Sequence, residues 1–198
     1  AQNTAVGKNV LVNATTADNN TAMGYHAADA ITTGDLNVAI GNDALGSNTV
    51  GDRNVAIGSS ALSTYNPSTN EDGYNVAVGL NALFADTTGN QNTAVGGLAG
   101  QSITTGNGNV CLGNVAGVHR TTGSDLVAVG NSACYKNTTA GQNIAVGGAA
   151  LYMNETGNNN TAMGTNALYL CTGANNTAVG RYANMLLTTA NANQSFGT

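Results

Sequence analysis

The chain has 198 residues, of which only 8% are charged and 5% aromatic, with 27 glycines, one proline and no tryptophan; an ordinary globular domain is about a quarter charged. A net charge of −5 leaves no basic stripe to neutralise phosphates, which argues against nucleic acid, and no apolar run approaches the roughly 18–20 residues of a membrane-spanning helix. Hydrophobic residues make up 41%, mostly alanine and valine, and they recur in phase, the mark of a repeat array rather than of disorder.

The repeating element, Asn-Thr/Val-Ala-Val-Gly, first occurs at residues 3–7. Its glycine returns at Gly24, Gly41, Gly58, Gly79, Gly96, Gly113, Gly130, Gly147, Gly164, Gly180 and Gly197. The spacing is 17 residues, apart from 21 between Gly58 and Gly79 and 16 between Gly164 and Gly180. A helical hairpin repeat takes about 33 residues or more; seventeen suit two short strands and two turns. The expected fold is all-β, a parallel β-roll or β-solenoid of about twelve 17-residue turns, with residues 1–198 as a single repeat array. At about 4.8 Å per turn the rod would be about 55 Å long.

Each position of the unit has its own size rule. Immediately before the glycine stands a large apolar residue: Val6, Met23, Ile40, Ile57, Val78, Val95, Leu112, Val129, Val146, Met163, Val179 and Phe196. Two before it stands alanine, except at Cys111 and Ser195. Three after it alanine returns, from Ala27 to Ala183, with Val10 the exception; leucine often follows, as at Leu45, Leu62, Leu83, Leu151 and Leu168. A Thr-Thr-Gly or similar segment ending at Gly34, Gly89, Gly106 or Gly123 reads as a turn that glycine's backbone freedom permits. Four before the motif glycine an asparagine recurs, broken only at Leu126, and stacked turns would let these amides bond one to the next.

Side chains alternate across a strand, so the alanine and the large apolar residue point to opposite faces, and both faces are restricted. Alanine and glycine would line a narrow interior. The stripe of Val6, Ile40, Ile57, Val78, Val95, Leu112, Val129, Val146 and Val179 would then run along the outside, larger than a soluble monomer tolerates. Another copy of the chain is expected to cover it.

The motif resembles the head repeats of trimeric autotransporter adhesins, whose units read Asn-x-Ala-Ile-Gly-x-x-Ser/Ala, and is similar to arrays in phage tail-fibre proteins. The resemblance runs from Asn3-Thr4-Ala5-Val6-Gly7 to Asn193-Gln194-Ser195-Phe196-Gly197. It implies a left-handed parallel β-roll, three chains per fibre and attachment to a host or target surface. Adhesin heads repeat at about 14 residues, so the longer unit here departs from that pattern, and no stalk heptads or anchor domain are present in the sequence.

In chain order, Thr4, Thr21, Thr93, Thr161 and Thr177 share one phase, but valine or isoleucine fills it in other turns, as packing would require and an ice-binding array would not. The four-residue insertion falls within Tyr65–Gly73 and holds the single proline; solenoid insertions protrude, so Tyr65, Asn66, Asn70 and Glu71 are candidate contact residues. Cys111, Cys134 and Cys171 have neither zinc nor redox spacing and are expected to be small buried residues. Tyr135, Tyr152 and Tyr169 share one phase in successive turns and should form an aromatic ladder, either mutual stacking alone or a platform for sugar rings. Phe84 shares that phase in isolation. His26 and His119 differ in phase and the carboxylates are scattered, so neither a metal site nor a cofactor is expected.

No nucleophile motif, phosphate loop or carboxylate cluster is present, and no enzyme activity is expected. The expected function is a non-catalytic structural and adhesive rod, part of a trimeric surface or virion attachment fibre. It would be extracellular, on a bacterial surface or virion, with itself and a receptor, glycan included, as partners. A self-assembling filament subunit is the alternative, because the array starts and stops in one phase without atypical capping turns. A ligand- or ice-binding solenoid is the third reading.

Overall fold

The segment before each motif glycine is short, β-branched at its flanks and small at its centre, which suits a strand packed tightly on one face. The computed structural model describes residues 2–197. It contains twelve three-residue strands, from β1 (Thr4–Val6) to β12 (Gln194–Phe196), and no helix among those residues. All twelve pair in parallel in one sheet, in sequence order, so each turn of the chain adds one strand beside the last. The protein is a parallel β-solenoid of about eleven turns. Register follows the motif throughout: Ala5 pairs with Ala22 and Ala39 with Ala56. Neither irregular turn disturbs it, since Ala56 still pairs with Ala77 across the insertion and Ala162 with Ala178 across the shortened turn.

A second strand per turn, expected from the repeat length, is not formed. The rest of each turn bends through three left-handed residues, for example Asp43 (φ 56°), Leu45 (φ 53°) and Arg53 (φ 57°) in one turn. Their amides still bond along the stack: Asp43 to the carbonyl of Tyr25 at 2.9 Å, Leu45 to Ala61 at 3.0 Å and Arg53 to Asp35 at 3.0 Å. A left-handed leucine costs about 1–2 kcal/mol. Leu45, Leu62, Leu83, Leu151 and Leu168 are all wholly buried at that position, and burial of a leucine side chain contributes about 1.5–3 kcal/mol, enough to hold the strained conformation.

The glycine of the Thr-Thr-Gly segment has a different cause from the expected one. Gly89 is not left-handed; a Cβ there would stand 2.5 Å from the carbonyl oxygen of Gly106 and 2.8 Å from Asn92 Nδ2 and Asp86 Oδ1. Closeness of the neighbouring turn, rather than backbone freedom, excludes a side chain. The motif glycine needs both: Gly41 has φ +138°, and a Cβ would lie 2.5 Å from the oxygen of Gly58.

The interior is narrow, as its alanine columns require. Seven residues after the motif glycine lies an interior column of mixed character: Ile31, Asn48, Tyr65, Asp86, Ile103, Arg120, Asn137, Asn154 and Cys171, all buried. Its size is matched to the residue three before it. Leu45 precedes Asn48 and Leu151 precedes Asn154, whereas Ala28 precedes Ile31, Gly100 precedes Ile103 and Gly117 precedes Arg120. A Cβ on Gly100 would come within 3.0 Å of Ile103 Cδ1. Close-packed interiors require such exchange of volume.

The asparagine ladder runs along the inside of the roll. Its side-chain oxygens accept backbone amides of the next turn, as from Asn54 to Asn37 at 2.9 Å, and its nitrogens donate to carbonyls, as from Asn37 to Gly51 at 2.9 Å. Amide-to-amide bonds also form, for example Asn109 Nδ2 to Asn92 Oδ1 at 3.0 Å. Buried amides thus tie each turn to the next through backbone groups that would otherwise lose their partners to burial.

Candidate binding surfaces

Two surfaces emerge from this geometry. On the strands, the central alanine points inward and both flanking residues point outward. From β3 (Val38–Ile40) to β5 (Val76–Val78) the centre is buried and both flanks are half-buried. The outward face therefore carries two parallel columns. One holds Val6, Ile40, Ile57, Val78, Val95, Leu112, Val129, Val146 and Val179; the other mixes Val38, Val55, Val76, Val110, Val127 and Ile144 with Thr4, Thr21, Thr93, Thr161 and Thr177. Val6 is 51% exposed and Val95 40%. Over eleven intervals of about 4.8 Å this face is about 53 Å long.

The second surface is the tyrosine ladder. Tyr135 and Tyr152 stack with ring centroids 4.8 Å apart and planes 2° from parallel; Tyr152 and Tyr169 are 4.9 Å apart at 10°. His119 meets Tyr135 edge-on, with ring centroids 4.8 Å apart. Each inner ring face is covered by the next ring, so the flat platform for sugar rings is not available; edges and hydroxyls remain. Burial and the neighbouring Tyr135 and Tyr169 hydroxyls push the Tyr152 phenol above its ordinary range.

Beside the ladder runs an open groove of about 640 Å³. Tyr152 and Tyr169 form one wall; Asn131, Ser132, Thr165 and Asn166 supply polar groups opposite. Gly148 and Ala149 leave depth between them, and Tyr182 and Met185 stand at one end. The sequence pattern did not single out these groove residues. They lie one or two positions after the motif glycine (Met185 excepted), and their closeness to the tyrosines depends on the left-handed bends at Ser132, Ala149 and Asn166. Alternation along a strand gives no guide to it.

The insertion corrects an expectation. Tyr65 is wholly buried, and cannot be a contact residue. Its hydroxyl donates to Asn90 Oδ1 at 2.9 Å, and burial, with Asp86, Glu71 and Asp52 adding to it, raises its pKa. It follows Leu62 in the interior, against the size rule, and the four additional residues make the room. A Cβ on Gly73 would come within 2.7 Å of the Tyr65 hydroxyl, and one on Gly51 within 2.7 Å of its ring. Pro67 is buried over it, while Asn66, Asn70 and Glu71 are exposed. The segment is pinned rather than protruding: Asp52 donates its amide to the Glu71 carbonyl at 2.9 Å, and Asp72 holds both Arg53 and the Tyr74 hydroxyl.

Elsewhere the chemistry is internal. All three cysteines are free and buried, and burial pushes the Cys111 thiol up to about 12, far from a reactive thiolate. Asp86 is wholly buried without a cation; its Oδ1 accepts the Gly89 amide at 2.7 Å and its Oδ2 the Asn92 amide at 3.2 Å, and desolvation raises its pKa to about 8. Arg120 is likewise buried with no carboxylate partner, and burial lowers its pKa. Among the described residues no group of three or more His, Cys, Asp and Glu is arranged to hold a metal ion. Nor is any helix long and apolar enough to cross a membrane.

Compared with known proteins, the chain matches no family profile, no curated protein and no solved structure.

Proposed function

We propose that this chain is a non-catalytic structural and adhesive rod that works as three copies packed through their strand faces, in an extracellular attachment fibre of a cell surface or virion. The observation that carries the reading is the outward double column of valine, isoleucine and threonine. It runs the length of the described sheet, and most of its side chains are only half-buried. An apolar band of that length exceeds what monomeric proteins expose. Flat, β-branched and periodic, it offers itself to an identical surface at the same pitch. Three symmetric copies would enclose three such faces around one axis, leaving the tyrosine ladder and the insertion for display to a receptor. Stacked turns with amide-bonded interiors would make a stiff, protease-resistant shaft. The resemblance of the repeat to adhesin heads and tail fibres supports the same reading.

The test is mass in solution. A species of about 59 kDa, three times the 19.6 kDa chain, is the expected result; a stable monomer with the valine face open to solvent would overturn it.

A further inference from the structure

The groove beside the tyrosine ladder differs from the other polar surfaces of the rod. In the threonine column at the opposite bend the hydroxyls are already used, each donating to the next turn's carbonyl, as from Thr15 to Thr32 at 2.9 Å and from Thr87 to Thr104 at 2.9 Å. In the interior the asparagine amides are used in the same way. By contrast, among the described residues, no hydrogen bond within the protein engages the hydroxyls of Tyr152, Tyr169 or Thr165 or the amide of Asn166. These groups line one trough, one turn apart.

We propose that this groove binds a neutral, linear oligosaccharide laid along the rod axis. The proposal rests on the reading of the chain as a displaying rod and names the chemistry of what it displays to. Three features select the ligand. First, no charged side chain lines the groove, so nothing there would offset the desolvation of an ionic ligand. Second, the backbone beneath is already satisfied: Ala149 donates to Asn131 at 2.9 Å, Asn166 to Gly148 at 3.0 Å and Met153 to Tyr169 at 2.9 Å. A peptide strand seeking main-chain partners would find none. Third, the surface alternates aromatic edges with hydroxyls and amides at a pitch of 4.8–4.9 Å, close to the repeat of a chain of pyranose units. Such a chain presents apolar C–H patches and hydroxyls by turns. The stacked rings hold their positions before the ligand arrives, so little side-chain freedom is lost on binding.

The test uses the full chain against a panel of neutral linear hexasaccharides, maltohexaose, cellohexaose and N-acetylchitohexaose, by titration calorimetry, with hyaluronan and heparin fragments as charged comparators. Tyr152→Phe keeps the stack and removes one hydroxyl; Asn166→Ala removes one amide on the facing wall. Binding of at least one neutral probe, weakened about threefold to tenfold by each substitution with the melting temperature unchanged, is the expected result. Absence of binding at millimolar probe, binding of the charged fragments alone, or binding indifferent to both substitutions would overturn the proposal. Mass measured on the same samples separates the two readings. A trimer that binds no sugar overturns the groove and leaves the rod; a sugar-binding monomer does the reverse.

Discussion

The guanidinium of Arg120 donates to the carbonyl of Ala140 at 2.6 Å, the carbonyl that in an ordinary turn receives the side-chain amide of the ladder asparagine. In that turn the asparagine is replaced by Leu126. Asn109, one turn before, donates to Gly123, and Asn143, one turn after, to Gly157. Arg120 reaches across from the neighbouring turn to replace the missing donor. It also donates to Gly123, Ser124, Asn109 and Asn137, leaving Asn137 Nδ2 as the buried side-chain nitrogen without a partner.

Arg120→Met should therefore strip several buried acceptors at once. Each costs about 1–3 kcal/mol when left unpaired, so a loss of at least about 3 kcal/mol is expected. The double variant Arg120→Asn, Leu126→Asn installs the pair found at Asn154 and Asn160 and should recover at least half of that loss. Urea unfolding at fixed protein concentration measures both; a double variant no better than the single would disprove the replacement.

Volume exchange in the interior can be tested at Gly100. Gly100→Leu alone overpacks Ile103 and should destabilise by about 1–3 kcal/mol. Combined with Ile103→Asn it reproduces the Leu45–Asn48 arrangement, and the melting temperature should rise back toward that of the parent. Additive losses would mean that the two positions do not share space.

Asp86 makes stability depend on pH. Its folded pKa of about 8 lies above the ordinary 3.8, so the folded chain holds the proton more tightly than the unfolded chain. The stabilisation is complete below about pH 4, is lost progressively as pH rises toward 8, and is gone above it. Asp86→Asn, matching Asn48 and Asn154 in the same column, should remove this contribution and gain several kcal/mol at pH 9, with little difference at pH 4. Melting curves from pH 4 to 9 check it; parallel curves for the two proteins would refute the burial argument.

The strand face can be charged without touching the interior, because Val129 and Val146 point outward. Val129→Lys with Val146→Lys should convert the species of about 59 kDa to the 19.6 kDa chain. The sheet signal in circular dichroism should be retained. Persistence of the larger species would place the interface elsewhere.

Spacing alone determined much of this protein. Seventeen-residue intervals between glycines, alanine at the strand centre and a ladder asparagine are enough to dictate stacking in register, because a stack aligns like with like at every turn. The stacking of Tyr135 on Tyr152 and Tyr169 was legible for the same reason. Tertiary structure decided what depends on the path between repeats. Left-handed bends at positions such as Asp43, Leu45 and Arg53 replace the second strand, and a period-of-two pattern cannot register them. They turn Tyr65 inward, set Arg120 beneath the carbonyl that Leu126 leaves unserved, and bring Asn166 alongside the tyrosines. Which residues share a column follows from counting. Which columns face one another follows only from the direction of the backbone at each bend.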